Sequence, residues 1–78
     1  MNNEEVTKKV CNMVADQMCE ETSKVNAESR FKEDLGMDSL DVTELVMNCE
    51  SEFKVTINDE EYANFTTVGE LANLIASK

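Results

Sequence analysis

The stretch Asp34-Leu35-Gly36-Met37-Asp38-Ser39-Leu40-Asp41 decides the reading of this chain. Gly36 admits a backbone turn that residues with a Cβ resist. Asp38 is a good helix N-cap, and Asp41, three residues on, adds a second carboxylate to a first turn where the helix dipole favours negative charge. Ser39 is then the first helical residue. Its hydroxyl is expected to be exposed at the positive end of the dipole, where an esterified phosphate would be electrostatically favoured. A serine at a helix start is also an ordinary capping residue, and local chemistry alone leaves both readings open.

Downstream of this stretch the pattern predicts a helix from Ser39 to near Phe53. At about 100° per residue, Val42, Leu45, Val46, Cys49 and Phe53 fall on one side, which makes that side the core face. Ser39, Thr43, Met47 and Glu50 lie away from its centre, with Leu40 and Glu44 beside them. The large apolar residues Leu40 and Met47 therefore sit among acids. Between Lys32 and Lys54 stand seven acids, Glu33, Asp34, Asp38, Asp41, Glu44, Glu50 and Glu52, and no base. A solvated face is the common reading of such a run. Here the uniform sign costs self-repulsion, and Leu40 and Met47 supply an apolar contact centre, so a docking face for a basic partner stands beside it as a second reading, the one that the resemblance given below favours.

Upstream, Val6, Val10, Met13 and Val14 give a helix over Glu4 to Met18 a single apolar stripe. Glu20 to Asp38 is polar and irregular, anchored by Val25, Phe31 and Leu35. A loop of that length in a small domain is often functional. Lys54-Val55-Thr56-Ile57 is β-branched but has no partner strand in view, so it reads as extended loop. Asn58-Asp59-Glu60-Glu61 has the spacing of a cap and an acidic first turn, opening a short helix that ends near Ala63. Thr67 and Glu70 form a capping box for a last helix whose inner face is Val68, Leu71, Ala72, Leu74 and Ile75. Stripes of this kind must be buried against one another. The expected fold class is all-α: a small four-helix bundle with three longer helices, one short helix and a long loop between the first and second, in a single domain over residues 1–78.

Composition sets the outer limits. The chain has 78 residues, a formal net charge of -10, 41% hydrophobic and 31% charged residues. That is enough for one small core, and the charges are too dispersed for a disordered tail. Seven basic residues among 17 acids exclude nucleic acid as a partner and argue against an anionic membrane surface. Cys11, Cys19 and Cys49 are odd in number and show no disulfide framework. Cys11 and Cys49 fall in predicted helices and read as small apolar residues. There is no His and no C-x-x-C, so a metal site is not expected. Without a His no nucleophile–base pair is in view, and an enzyme is excluded. The start Met1-Asn2-Asn3-Glu4-Glu5 lacks the features of a signal peptide, and no apolar run reaches membrane-spanning length. A cytoplasmic protein is expected, with no membrane insertion.

The stretch Asp34 to Asp41 resembles the phosphopantetheine attachment motif of acyl carrier proteins. The likeness continues through Glu44-Leu45-Val46-Met47, Glu52-Phe53, Ile57-Asn58-Asp59-Glu60-Glu61 and Thr66-Thr67-Val68, so it covers nearly the whole chain. The resemblance implies that a phosphopantetheinyl transferase moves 4'-phosphopantetheine from coenzyme A to Ser39. An acyl group would then ride on the arm as a thioester. It implies a discrete monomeric carrier of the bacterial fatty-acid-synthesis type, one that meets malonyl transferase, ketoacyl synthase, reductase, dehydratase and acyltransferase enzymes through their basic patches. Asp38, Asp41, Glu44 and Glu50 would supply charge to those contacts, and Leu40 and Met47 the apolar part. Ile57 matches a further position that partners of the family touch, and ordinary core is an equal reading for it. A chamber for the acyl chain, carried over by analogy, would involve Phe31, Leu45, Cys49, Tyr62, Phe65, Leu71 and Leu74. The same family includes carriers of polyketide and of D-alanyl or other aminoacyl transfer. An unmodified acidic interaction module is the alternative of another class.

The chain also departs from the family pattern. Val42-Thr43 reverses the common Thr-Val order, which takes apolar surface from the outer face. Tyr62 stands where a small residue is usual, close to where an acyl chain would enter, so a narrowed chamber is expected. Asn58 replaces a frequent Pro. Cys19 falls where a Gly often ends the first helix, which leaves that end undefined by sequence.

Overall fold

A computed structural model describes residues 2–78, so Met1 of the expected 1–78 domain lies outside the described residues. Helix α1 runs Asn3–Met18, α2 Ser39–Phe53 and α3 Val68–Ala76, and a shorter 3₁₀ helix occupies Asp59–Asn64. These are the expected three longer helices and one short one, and no strand forms among the described residues.

Each helix starts and stops for a local reason. Asn2 caps α1 by accepting the Glu4 N–H at 2.8 Å. At the other end Cys19 itself takes the left-handed conformation, φ 56°, and its N–H reaches back to Ala15 and Asp16. The helix thus ends where a glycine would have ended it. Lys54 closes α2 in the same way, at φ 55°. Thr67 and Glu70 form the expected box at the start of α3, and Asn58 and Glu61 form another at the 3₁₀ helix.

The stripes meet in one core. Val6, Val10, Cys11, Val14 and Ala15 come from α1, Leu45, Val46 and Cys49 from α2, and Val68, Leu71, Ala72 and Ile75 from α3. Met13, placed on the inner stripe by spacing, lies at its edge and is only half-buried, as are Val42, Phe53 and Leu74. Burial pushes the Cys49 thiol up to about 12, with the charges of Glu50 and Glu52 adding to it. That cysteine is an inert core residue.

The long loop is strapped to the start of α3 by backbone bonds. Phe31 N–H donates to Thr66 O at 3.0 Å, Val68 N–H to Ser29 O at 3.0 Å and Gly69 N–H to Ala27 O at 2.8 Å. Arg30 and Thr67 form an isolated antiparallel bridge. Gly69 is needed here, because a Cβ would sit 2.9 Å from the Ala27 carbonyl oxygen. The strap buries Val25 and Phe31 as expected, leaves Leu35 half-buried, and also buries Met37, which sequence spacing did not single out. The loop contains a 3₁₀ turn at Thr22–Lys24.

Candidate functional site

The candidate site is the first turn of α2. Gly36 sits at φ 66° with open space where a Cβ would be, so the turn needs its backbone freedom and nothing else. Met37 then anchors the approach: its side chain is buried and its N–H donates to Phe31 O at 2.9 Å. Asp38 caps the helix by accepting the Asp41 N–H at 2.9 Å, and Asp41 returns the favour by accepting the Asp38 N–H at 3.3 Å. This reciprocal box holds Ser39 as the first helical residue, with its side chain exposed. Val42 N–H is already bonded to Asp38 O. The amides of Ser39 and Leu40, in the first turn, have no intrahelical acceptor.

Around Ser39 the outer face of α2 is acidic with an apolar centre. Leu40 is 75% exposed and Met47 61%, and Asp38 and Glu44 are exposed beside them. Asp41 is half-buried and its backbone carbonyl receives the Gln17 side-chain amide at 2.8 Å, tying α2 to α1. Glu50 is half-buried, and its carboxylate accepts the Ile57 N–H at 2.9 Å, so it braces the loop after α2. Ile57 itself is 6% exposed. Of the two readings of Ile57, its burial favours ordinary core. Thr43 donates its hydroxyl to Ser39 O at 2.9 Å, the back-bonding usual for a helical threonine.

A cleft of about 210 Å³ opens beside Ser39. Ser39, Val42, Lys32, Glu33 and Thr66 shape its sides, and Phe31, Tyr62 and Phe65 supply its aromatic lining. Phe65 is the hinge of that lining: Phe31 meets it edge-on at 5.9 Å and Tyr62 lies tilted against it at 5.7 Å. Burial raises the Tyr62 phenol, helped by the charges of Glu50 and Asp59 and opposed by the Thr43 hydroxyl. Of the residues expected in a chamber, Phe31, Tyr62 and Phe65 line the cleft, and Leu45, Cys49, Leu71 and Leu74 do not. Leu45, Cys49 and Leu71 have no exposure and fill the closed core, while Leu74 is half-buried on α3. Lys32, Glu33 and Thr66 were not foreseen, since the strap that brings them to Ser39 is non-local.

The arrangement fits a phosphate ester on Ser39. The hydroxyl is accessible, the first-turn amides and helix dipole favour one negative charge, and the cleft alongside offers apolar cover to whatever an attached arm carries. Asp38 and Asp41 oppose added charge, but their carboxylates are turned to the backbone of the capping box.

Residues 8–75 match the family described as phosphopantetheine attachment site. The acyl carrier protein of Prochlorococcus marinus is 42% identical over 78 residues, covering 100% of this chain and 98% of that protein. The acyl carrier protein of a Picosynechococcus species is 45% identical over 76 residues, covering 97% and 94%. Among solved structures, the thermally stable acyl carrier protein from Enterococcus faecalis superposes with a TM-score of 0.80 at 35% identity, over 99% of this chain and 98% of that one. On its sequence, its fold and the match across both, the chain belongs to the phosphopantetheine-attachment family, among the acyl carrier proteins.

Proposed function

We propose that this chain, as one carrier domain over residues 1–78, carries acyl intermediates of fatty acid synthesis on an arm attached to Ser39. A member of this family is a carrier and not an enzyme, and phosphopantetheine is the group it carries. The observation that supports the reading best is the placement of Ser39: exposed, locked at the start of α2 by the Asp38–Asp41 box, and beside an apolar cleft. When bound, the group supplies a flexible reach and a terminal thiol that holds an acyl chain as a thioester. The protein's own residues fix where that arm begins, and they present a face to be docked.

The proposed face is Asp38, Leu40, Asp41, Glu44, Met47 and the half-buried Glu50. Phosphopantetheinyl transferase, malonyl transferase, ketoacyl synthase, reductase, dehydratase and acyltransferase enzymes would meet it through basic patches. Acid-to-base complementarity speeds such encounters without requiring tight complexes, which suits a carrier that must leave each partner. A monomer in the cytoplasm fits a carrier that visits many enzymes in turn. No helix among the described residues is long and apolar enough to cross a membrane.

The test offers the arm-bearing protein to a malonyl transferase of fatty acid synthesis with malonyl coenzyme A, and in parallel to an aminoacyl ligase with its amino acid and ATP. Malonyl loading is expected. Failure of malonyl loading with success of the ligase would assign the chain to aminoacyl transfer instead.

A further inference from the structure

Three rings line the cleft beside Ser39. Phe31, Phe65 and Tyr62 line it, and the aliphatic core residues Leu45 and Leu71, with no exposure, do not. The rings differ in what else they do. Phe31 and Phe65 are 3% and 5% exposed and belong to the core itself. Tyr62 is half-buried, packs on the edge of that core, and stands on the six-residue 3₁₀ helix Asp59–Asn64. It is the aromatic side chain of the three whose loss enlarges the cleft with least damage to the core.

The position of that 3₁₀ helix is held through Glu61 in its first turn. Asn58 and Glu61 close its capping box, with the Asn58 N–H donating to Glu61 at 2.9 Å. Lys78 Nζ reaches Glu61 at 3.1 Å from the end of α3. Tyr62 therefore sits on a braced support, against Phe65 at 5.7 Å.

We propose that Tyr62 is a specificity-determining residue of the carrier: its ring stops an acyl chain at the mouth of the core, so short acyl groups are sheltered in the cleft and longer ones keep their distal carbons outside. This inference rests on the carrier reading of Ser39 and adds to it a limit on cargo. The cleft's volume of about 210 Å³ corresponds to roughly seven groups at the ~30 Å³ share of a water, which is about the size of a methylene. By that share a hexanoyl group is matched to the cleft in volume, and a decanoyl group exceeds it. Each methylene that gains apolar cover shifts the sheltered population by about fourfold. Sheltering should therefore grow steeply up to the limit and stop there.

The experiment loads the apo protein with butyryl, hexanoyl and decanoyl coenzyme A, using a broad-specificity phosphopantetheinyl transferase. In that step the Ser39 oxygen bonds to the phosphorus bearing the acyl-pantetheine, the bond from that phosphorus to the adenosine half breaks, and adenosine 3',5'-bisphosphate leaves as the serine proton is lost. Intact mass confirms loading. The rate of thioester cleavage by neutral hydroxylamine is then measured for wild type, Tyr62→Ala and Tyr62→Phe, with helicity checked by circular dichroism.

In wild type, cleavage should slow several-fold from butyryl to hexanoyl and change less than about twofold from hexanoyl to decanoyl, where added methylenes find no cover. In Tyr62→Ala the decanoyl thioester should be cleaved at least about fivefold more slowly than in wild type, since more than one further methylene is covered. Tyr62→Phe, which keeps the ring, should match wild type. Protection in wild type that keeps growing to decanoyl overturns the proposal, whatever the variants do. So does an unchanged plateau in folded Tyr62→Ala, or a Tyr62→Phe that behaves like Tyr62→Ala. Should Tyr62→Ala not fold, Tyr62→Leu replaces it with the same expected direction. Absence of any mass gain, seen before cleavage is measured, overturns the carrier reading and the cargo limit with it.

Discussion

Asp38 plays two parts at the site, and substitution can separate them. Its carboxylate accepts the Asp41 N–H at 2.9 Å, which makes it the cap that fixes Ser39 as the first residue of α2. It also contributes a charge to the acidic face. Asp38→Ala removes both. Loss of an N-cap acceptor costs about 1 kcal/mol, and for a domain of this size each kcal/mol lowers the melting temperature by roughly 4–8 °C. Asp38→Asn removes the charge and keeps a side-chain oxygen, and Asn caps about as well as Asp. The dipole contribution it gives up, ~0.3–1 kcal/mol, is partly offset by relief of repulsion in a chain of net charge -10. Thermal unfolding followed at the helical circular dichroism band should therefore place Asp38→Ala several degrees below wild type and Asp38→Asn close to it. The rate of phosphopantetheine transfer, followed by intact mass, should fall in both, because both lose the charge. An Asp38→Asn protein as unstable as Asp38→Ala would mean that charge rather than capping holds the turn. An Asp38→Ala protein as stable as wild type would refute the capping argument altogether.

Other outcomes follow from single contacts. Gly69→Ala should destabilise by about 1–3 kcal/mol despite better helix propensity, because the new Cβ meets the Ala27 carbonyl at 2.9 Å and disturbs the strap; an unchanged or raised melting temperature would show that the loop yields freely. Glu44→Lys changes the net charge from -10 to -8 on an exposed position, and should slow arm transfer several-fold while stability stays within about 0.5 kcal/mol; a stability loss with an unchanged rate would make the face structural. Glu70 is held below the usual carboxylate range by the Thr66 N–H and hydroxyl and by Thr67. A carboxylate lowered in the fold stabilises it fully above its ordinary value of ~4.3 and loses that contribution as pH falls through the lowered value. Glu70→Gln should thus melt below wild type at neutral pH, with the gap closing as acid protonates Glu70; a gap that persists in acid would count against this linkage.

The parts of this structure that were legible in the sequence are those set by neighbours in the chain. The Asp38–Asp41 and Thr67–Glu70 boxes are contacts across three residues, and the stripes Val6-Val10-Val14 and Leu45-Val46-Cys49 follow helical spacing, so both could be read directly. The start of α2 at Ser39 was legible for the same reason. What sequence spacing did not give came from contacts across the chain. Met37 and Ile57 are both buried, in segments whose amides bond outside any helix, Met37 N–H to Phe31 O and Ile57 N–H to the Glu50 carboxylate. The cleft depended on the strap of the long loop, which carries Lys32, Glu33 and Thr66 to the edge of α2. Periodicity marks Leu45, Cys49 and Leu71 as inner residues, but it cannot distinguish a packed interior from a chamber, and here they are packed.

Ser39 is the proposed point where the arm is joined. Its most direct test incubates wild type and Ser39→Ala with coenzyme A and a broad-specificity phosphopantetheinyl transferase, then records intact mass. Substituting Ala at the first helical position leaves the Asp38–Asp41 box in place, so both proteins should stay folded. Wild type should gain the mass of one phosphopantetheine, and Ser39→Ala should gain none. No gain on wild type, or an equal gain on Ser39→Ala, would contradict the proposal.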